Sequence, residues 1–138
     1  MGLVPDISAI LALAFEDEDA EYAQSVLAAI GADEGVVPTL FWFEIRNALL
    51  MAERRKRITI EQTAEFLASL TVLPFTIDDE PDEQTVLRLA RTHSLTVYDA
   101  TYLEIAQRRS LPIATLDADL HQAALAANVA VFSGPVQK

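Results

Sequence analysis

The sequence contains no cysteine and only two histidines. Disulfides, thiolate-held zinc and a cysteine nucleophile are thereby excluded, and no redox signature points outside the cell. No apolar run approaches the roughly 18 to 20 residues that span a bilayer. The opening MGLVPDISAI also has no basic region ahead of its apolar stretch. A cytoplasmic protein without membrane contact is expected. Positive charge is scarce as well: 10 Lys and Arg stand against 21 Asp and Glu, for a formal net charge of −11. Such a chain does not grip nucleic acid by general phosphate attraction, so any contact of that kind has to be local or assisted by a metal ion. The few cations are bunched, with Arg46 and then Arg54, Arg55, Lys56 and Arg57 in one segment. Such a cluster is either a solvated helix end, where cations complement the dipole, or a patch for nucleic acid or a partner protein.

Apolar residues, by contrast, are plentiful. They make up 51% of the 138 residues, enough for one domain spanning 1–138 with a real core. LVP (3–5) reads as a short buried strand feeding a helix over 6–15, with Asp6 at the join. A helix over 17–32 has an acidic first turn and ends at Gly31, and EGVVP (34–38) is a second strand. The helix over 39–57 closes on the basic cluster, and that over 59–70 opens with Thr59 and Gln62 as a capping box. TVLPFTI (71–77) is extended and interrupted by Pro74. Helices over 79–93, with Pro81 near the start, and over 94–106 follow. After them come a strand LPIAT (111–115), a helix over 117–128 and a last strand VAVF (129–132). Short apolar strands alternating with longer helices predict a three-layer α/β/α domain with a short, mainly parallel sheet.

In such a sheet, ligands gather beyond the carboxyl ends of the strands. Asp6 and Asp117 fall there, with Asp119 close behind. Each also precedes a helix, where Asp is a favoured N-cap. Two further acids sit on helix faces that should be apolar. Glu44 shares a face with Leu40, Phe41 and Ala48, and Asp99 with Leu95, Tyr102 and Leu103. Asp99 also fits the third position of a capping box begun by Thr96, and Glu44 fits a rim position or an ion pair with a neighbour. An unpaired buried carboxylate costs several kcal/mol, and the sequence supplies too few cations nearby to pair all of these. If the four acids meet, a hard divalent cation, Mg²⁺ or Mn²⁺, is the economical counter-charge. The histidines, His93 and His121, are read as surface residues.

With those pieces in order, the chain resembles PIN-domain ribonucleases, and among them the VapC-like toxins of bacterial type II toxin-antitoxin pairs. The matching stretches are LVPDIS, PTLFWFEIRNALL, SLTVYDATYLEIAQRRSLPIATLDADL and AANVAVF, which together run essentially end to end. The resemblance implies an acidic quartet of Asp6, Glu44, Asp99 and Asp117. Metal would be held by Asp6, Asp99 and Asp117, and RNA phosphodiesters would be hydrolysed. By the same likeness Ser8, Asn47 and Thr115 are supporting polar residues and Asp119 an outer acid. Arg46, Arg54, Arg55 and Arg57 are candidates to hold the RNA backbone. Further implied are a cognate antitoxin, seated in a groove over 9–15 and 40–51, and a homodimer. Pro5 departs from the family pattern, suggesting that the first strand ends one residue early. Two other classes stand beside this reading: a PIN-fold binding module with weak or no catalysis, and a receiver-like phosphoryl-transfer domain. The second fits poorly, because no acidic pair follows the first strand and the only internal lysine, Lys56, lies in the basic cluster.

Overall fold

The computed structural model describes residues 2–15 and 19–134. Within them the chain runs β1 (Val4–Pro5), α1 (Ile7–Ala14), α2 (Ala20–Ala32), β2 (Gly35–Pro38), α3 (Leu40–Arg54) and α4 (Ile60–Thr71). It continues through β3 (Phe75–Asp78), α5 (Glu83–His93), α6 (Val97–Arg109), β4 (Ile113–Ala114) and α7 (Ala118–Ala126). Both strand pairs are parallel. β1 lies beside β4, matching Val4 to Ile113, and β2 lies beside β3, matching Gly35 to Phe75. A parallel bridge between Leu3 and Gly35 links the pairs, so the strands stand in the order β3-β2-β1-β4. Parallel neighbours need long crossovers, and helices supply them here, as the alternating pattern predicts.

Pro5 belongs to β1 after all. Val4 and Asp6 donate their amides toward β4, to Pro112 and Ala114, while Leu3 makes its bonds on the β2 side. The donor that proline lacks therefore falls on the β2 side, past the last bond of that ladder, and the strand does not end early. The segment 129–132 forms less than predicted: only a bridge between Val131 and Ile113. Two helix ends differ by a residue or two. Gly31 lies inside α2, and Pro81 lies ahead of α5, whose N-cap is Asp82. The expected start of the second helix at residues 17 and 18 lies outside the described residues.

α1 packs on α2, α3 and α4, whereas α6 packs on α5 and α7 and lies across β1, β2 and β4. α3 shows the amphipathic pattern of its sequence, burying Phe41, Ile45, Leu49 and Ala52. α6 does not. Every residue from Ala100 to Ala106 is buried, so this helix is the central member of the core and not a one-sided one. α1 likewise buries Ala9, Ile10, Leu11 and Ala12. Of the two segments expected to form a partner groove, α1 thus spends most of its apolar surface on the core, while α3 keeps Trp42, Phe43 and Leu50 exposed.

Candidate active site

β1 and β4 end side by side, and each hands the chain to a helix through an aspartate. Asp6 caps α1, accepting from the amide of Ala9 at 3.1 Å, and Asp117 caps α7, accepting from the amide of Leu120 at 3.0 Å. Capping therefore describes both, but it accounts for only one oxygen of each. Asp6 is 5% exposed, and its carboxylate also accepts from the hydroxyls of Ser8 at 2.6 Å and Thr115 at 2.5 Å. Ser8 in turn accepts from the amide of Leu116, and Thr115 from that of Asp117. Ser8 and Thr115 thus tie the two strand ends together by hydrogen bonds.

Glu44 enters from the first turns of α3 and Asp99 from the first turn of α6, both half-buried. Thr96 caps α6 by accepting from the Asp99 amide at 3.1 Å, and a hydrogen bond with the Thr96 side chain tempers the rise of the Asp99 carboxyl. Glu44 accepts a hydrogen bond of 2.7 Å from the hydroxyl of Tyr102. The sequence placed Tyr102 in the apolar stripe but did not reveal this role. The available signal was a phenol where a phenylalanine would pack as well, since a buried hydroxyl needs a partner.

The electrostatics join these acids. Burial pushes the carboxyls of Asp6, Glu44 and Asp99 above their ordinary range, and they push one another further up. Asp117 raises both Asp6 and Asp99, Asp119 raises Asp99, and Asp6 and Asp99 raise Glu44. Among the described residues none of the quartet forms an ion pair. Asp117 and Asp119 are exposed at the opening, and Asp119 acts on the site through its charge alone. Asn47 is exposed one turn beyond Glu44, and its side chain makes no hydrogen bond among the described residues.

The basic residues divide. Arg46 lies two positions from Glu44, with its guanidinium 3.8 Å over the Trp42 ring. Arg54, Arg55 and Arg57 are at the far end of α3, about 15 Å from Glu44 at the rise of an α-helix. There Arg57 covers the ring of Phe15 at 4.4 Å. Arg46 thus turns to Trp42, about 200° round the helix from Glu44, and the other three lie farther along α3.

A second charged cluster escaped the sequence reading. Asp78, at the end of β3, is 3% exposed and accepts from Arg108 at 3.0 Å and Arg109 at 2.6 Å, and Arg108 also holds the buried Glu104 at 2.8 Å. Glu104 and Arg108 stand four apart on one helix, which was a legible signal; Asp78 is separated from them by sequence. This cluster is neutralised by its own arginines, and the quartet is not.

An oxygen-only donor set, buried at Asp6, half-buried at Glu44 and Asp99, exposed at Asp117 and without an ion pair among the described residues, fits a hard divalent cation. Among the described residues no group of three or more His, Asp or Glu side chains is placed to hold a metal ion by itself. Water or substrate oxygens would therefore fill the remaining positions, as Mg²⁺ ordinarily allows.

These features define an α/β protein with an acidic pocket at the carboxyl edge of a short parallel sheet. The PIN domain family matches residues 3–126, and the chain belongs to that family, whose members are typically metal-dependent nucleases. Among solved structures, that of PAE2754 from Pyrobaculum aerophilum is similar, with a TM-score of 0.65 and 25% sequence identity. The match covers 89% of this chain and 86% of that one. No curated protein matches the chain. No helix among the described residues is long and apolar enough to cross a membrane.

Proposed function

We propose that this chain is a Mg²⁺- or Mn²⁺-dependent endoribonuclease, a VapC-like toxin of a type II toxin-antitoxin pair that acts in the cytoplasm as one PIN domain. The observation that carries the reading is the unneutralised state of Asp6, Glu44 and Asp99, three acids in one pocket whose carboxyls are all displaced upward by burial and by each other. Asp6, Asp99 and Asp117 would hold the ion. When bound, it supplies Lewis acidity toward water and phosphate and cancels the pocket's repulsion of a polyanion. The chain's own residues do the rest. Ser8 and Thr115 fix the Asp6 carboxylate, Tyr102 fixes Glu44, and Glu44 orients water at the pocket. Arg46 takes a neighbouring phosphate, and Arg54, Arg55 and Arg57 meet the backbone farther along.

The antitoxin is proposed to lie on α3. Beside its exposed Trp42, a small cavity of about 140 Å³ lined by Phe41, Ile45, Leu67, Leu70 and Phe75 suits an apolar anchor of a partner segment. A homodimer is proposed on family likeness alone. Incubating the protein with mixed tRNA and rRNA fragments and Mg²⁺ or Mn²⁺ tests the enzymatic part. Wild type should cut, and Asp6→Asn and Asp99→Asn should each lose about 100-fold or more, since even outer-shell changes at metal sites cost 10- to 100-fold. Cleavage that survives both substitutions rejects the site.

A further inference from the structure

The segment 129–132 stops pairing with β4 at a definite rung. Ile113 donates its amide to Ala130 at 2.9 Å and accepts from the amide of Phe132 at 2.8 Å, as a parallel ladder requires. The next rung of that ladder would run from the amide of Thr115 to the carbonyl of Phe132. The hydroxyl of Tyr22, in the first turn of α2, takes both partners instead. It donates to the Phe132 carbonyl at 2.8 Å and receives a hydrogen bond from the Thr115 backbone. The Tyr22 and Phe132 rings lie 6.1 Å apart, and the chain passes so near at Gly134 that a Cβ there would stand 3.3 Å from the Tyr22 ring. The phenol is thus packed in place. Burial pushes it up to about 12, with the Thr115 bond opposing the rise and the charge of Asp6 adding to it, so at neutral pH it stays protonated and donates to Phe132.

Thr115 carries this contact to the acids. It is buried, and its hydroxyl donates to Asp6 at 2.5 Å and accepts from the amide of Asp117 at 3.0 Å. The backbone that carries this hydroxyl is the part that Tyr22 holds. We propose that Tyr22 is a positioning residue for the acidic site: its hydroxyl replaces the last rung of the sheet and holds Thr115 where it fixes the Asp6 carboxylate. The proposal rests on the reading of Asp6, Asp99 and Asp117 as ion ligands, and it extends that reading by a residue that reaches them through Thr115. Stability does not require the relay, since a direct rung would satisfy the same amide and carbonyl. With the hydroxyl between them, the Phe132 carbonyl stands one hydrogen bond farther from Thr115. The sheet therefore ends there, and the Thr115 backbone is set by α2.

Tyr22→Phe keeps the ring and removes the hydroxyl, so it tests the relay with little loss of packing. In calorimetric titration with Mn²⁺ the variant should bind about tenfold more weakly than wild type, as changes behind metal ligands do. Hydrogen exchange at the Thr115 amide, followed in the metal-free protein, should quicken. Asp78→Asn controls for lost stability: it loosens β3, at the opposite edge of the strand order, and should leave Mn²⁺ affinity at the wild-type value. If Tyr22→Phe binds Mn²⁺ as wild type does, or loses no more affinity than Asp78→Asn, the tyrosine serves the fold alone and the positioning role is overturned. Unchanged exchange at Thr115 overturns it too, because something other than the hydroxyl then holds that amide. The two readings separate in the same titrations. Wild type that takes up no Mn²⁺ rejects the ion site and the positioning role with it, whereas wild-type binding that Tyr22→Phe leaves intact rejects the positioning role alone.

Discussion

Tyr102 carries its hydroxyl to a place almost closed to water, where it donates a hydrogen bond of 2.7 Å to Glu44. Burial, and then the charge of Glu44, hold the phenol far above its ordinary pKa, so it remains the donor at any working pH. Its bond to Glu44 opposes the rise that burial imposes on that carboxyl. Tyr102→Phe removes the opposition. Cleavage should fall by about tenfold or more, and the acid limb of the pH-rate profile should move to higher pH, because Glu44 then ionises later. Stability should drop by only about 1 kcal/mol, the ordinary net worth of a hydrogen bond. A uniform drop in rate with no movement of that limb would mean that Tyr102 merely packs. The pairing itself was not legible in sequence: helical spacing places Tyr102 on an inward face, but its partner is 58 residues away on another helix.

At the scale of elements, α6 connects the two charged clusters, with Asp99 in its first turn and Glu104, Arg108 and Arg109 nearer its end. Its stripe of Tyr102, Leu103 and Ala106 was readable and is buried, yet the helix is enclosed on nearly every side. Polar residues such as Thr101 and Glu104 hide this from a pattern based on apolar spacing, since each is buried only by virtue of a partner. Capping chemistry was easier to read: the Thr59 and Gln62 box forms as expected, because it depends on residues three apart. The segment 129–132 has strand composition but pairs as a strand only at Ile113, and a strand needs a neighbour as well as a propensity. Burial alone would raise Asp78, but the hydrogen bonds from Arg108 and Arg109 outweigh it and leave the carboxyl at about 2. With the folded pKa below the ordinary 3.8, this pairing stabilises the fold above about pH 4. The contribution is lost as pH falls from there through about 2. Asp78→Asn should therefore cost on the order of 2 kcal/mol in urea unfolding at neutral pH and much less near pH 2. An equal cost at both values would contradict the account.

For the whole molecule, the net charge of −11 comes mostly from the surface, and the site adds to it. The carboxyls of Asp6, Glu44 and Asp99 lie above their ordinary range, which is the opposite sign to Asp78. Their ionisation works against folding, so their contribution is most favourable below the ordinary carboxylate range and is lost as pH rises through their elevated values. The metal-free protein should thus melt at higher temperature near pH 5 than near pH 7, before the Asp78 pairing fails at lower pH. Mg²⁺ should raise the neutral-pH melting temperature and flatten that trend, since a ligand of the folded state stabilises it by mass action. Unchanged melting across this range would count against the electrostatic picture. The alternation of strands and helices, and the acids at the strand ends, were visible in sequence because both follow from local pattern. The convergence of Glu44 and Asp99 on them was inferred from their misfit on apolar faces. The stacked Arg46 and the Asp78 cluster became visible only with the chain folded.

The central claim is that Asp6, Glu44, Asp99 and Asp117 make one divalent-ion site. Calorimetric titration of Mn²⁺ into the protein near pH 6, repeated in buffers of different ionisation enthalpy, tests it directly. The account predicts saturable binding with proton release, because carboxyls with raised pKa values must give up protons to the ion, and loss of that binding in Asp6→Asn and Asp99→Asn. Binding of undiminished affinity in both variants would contradict it.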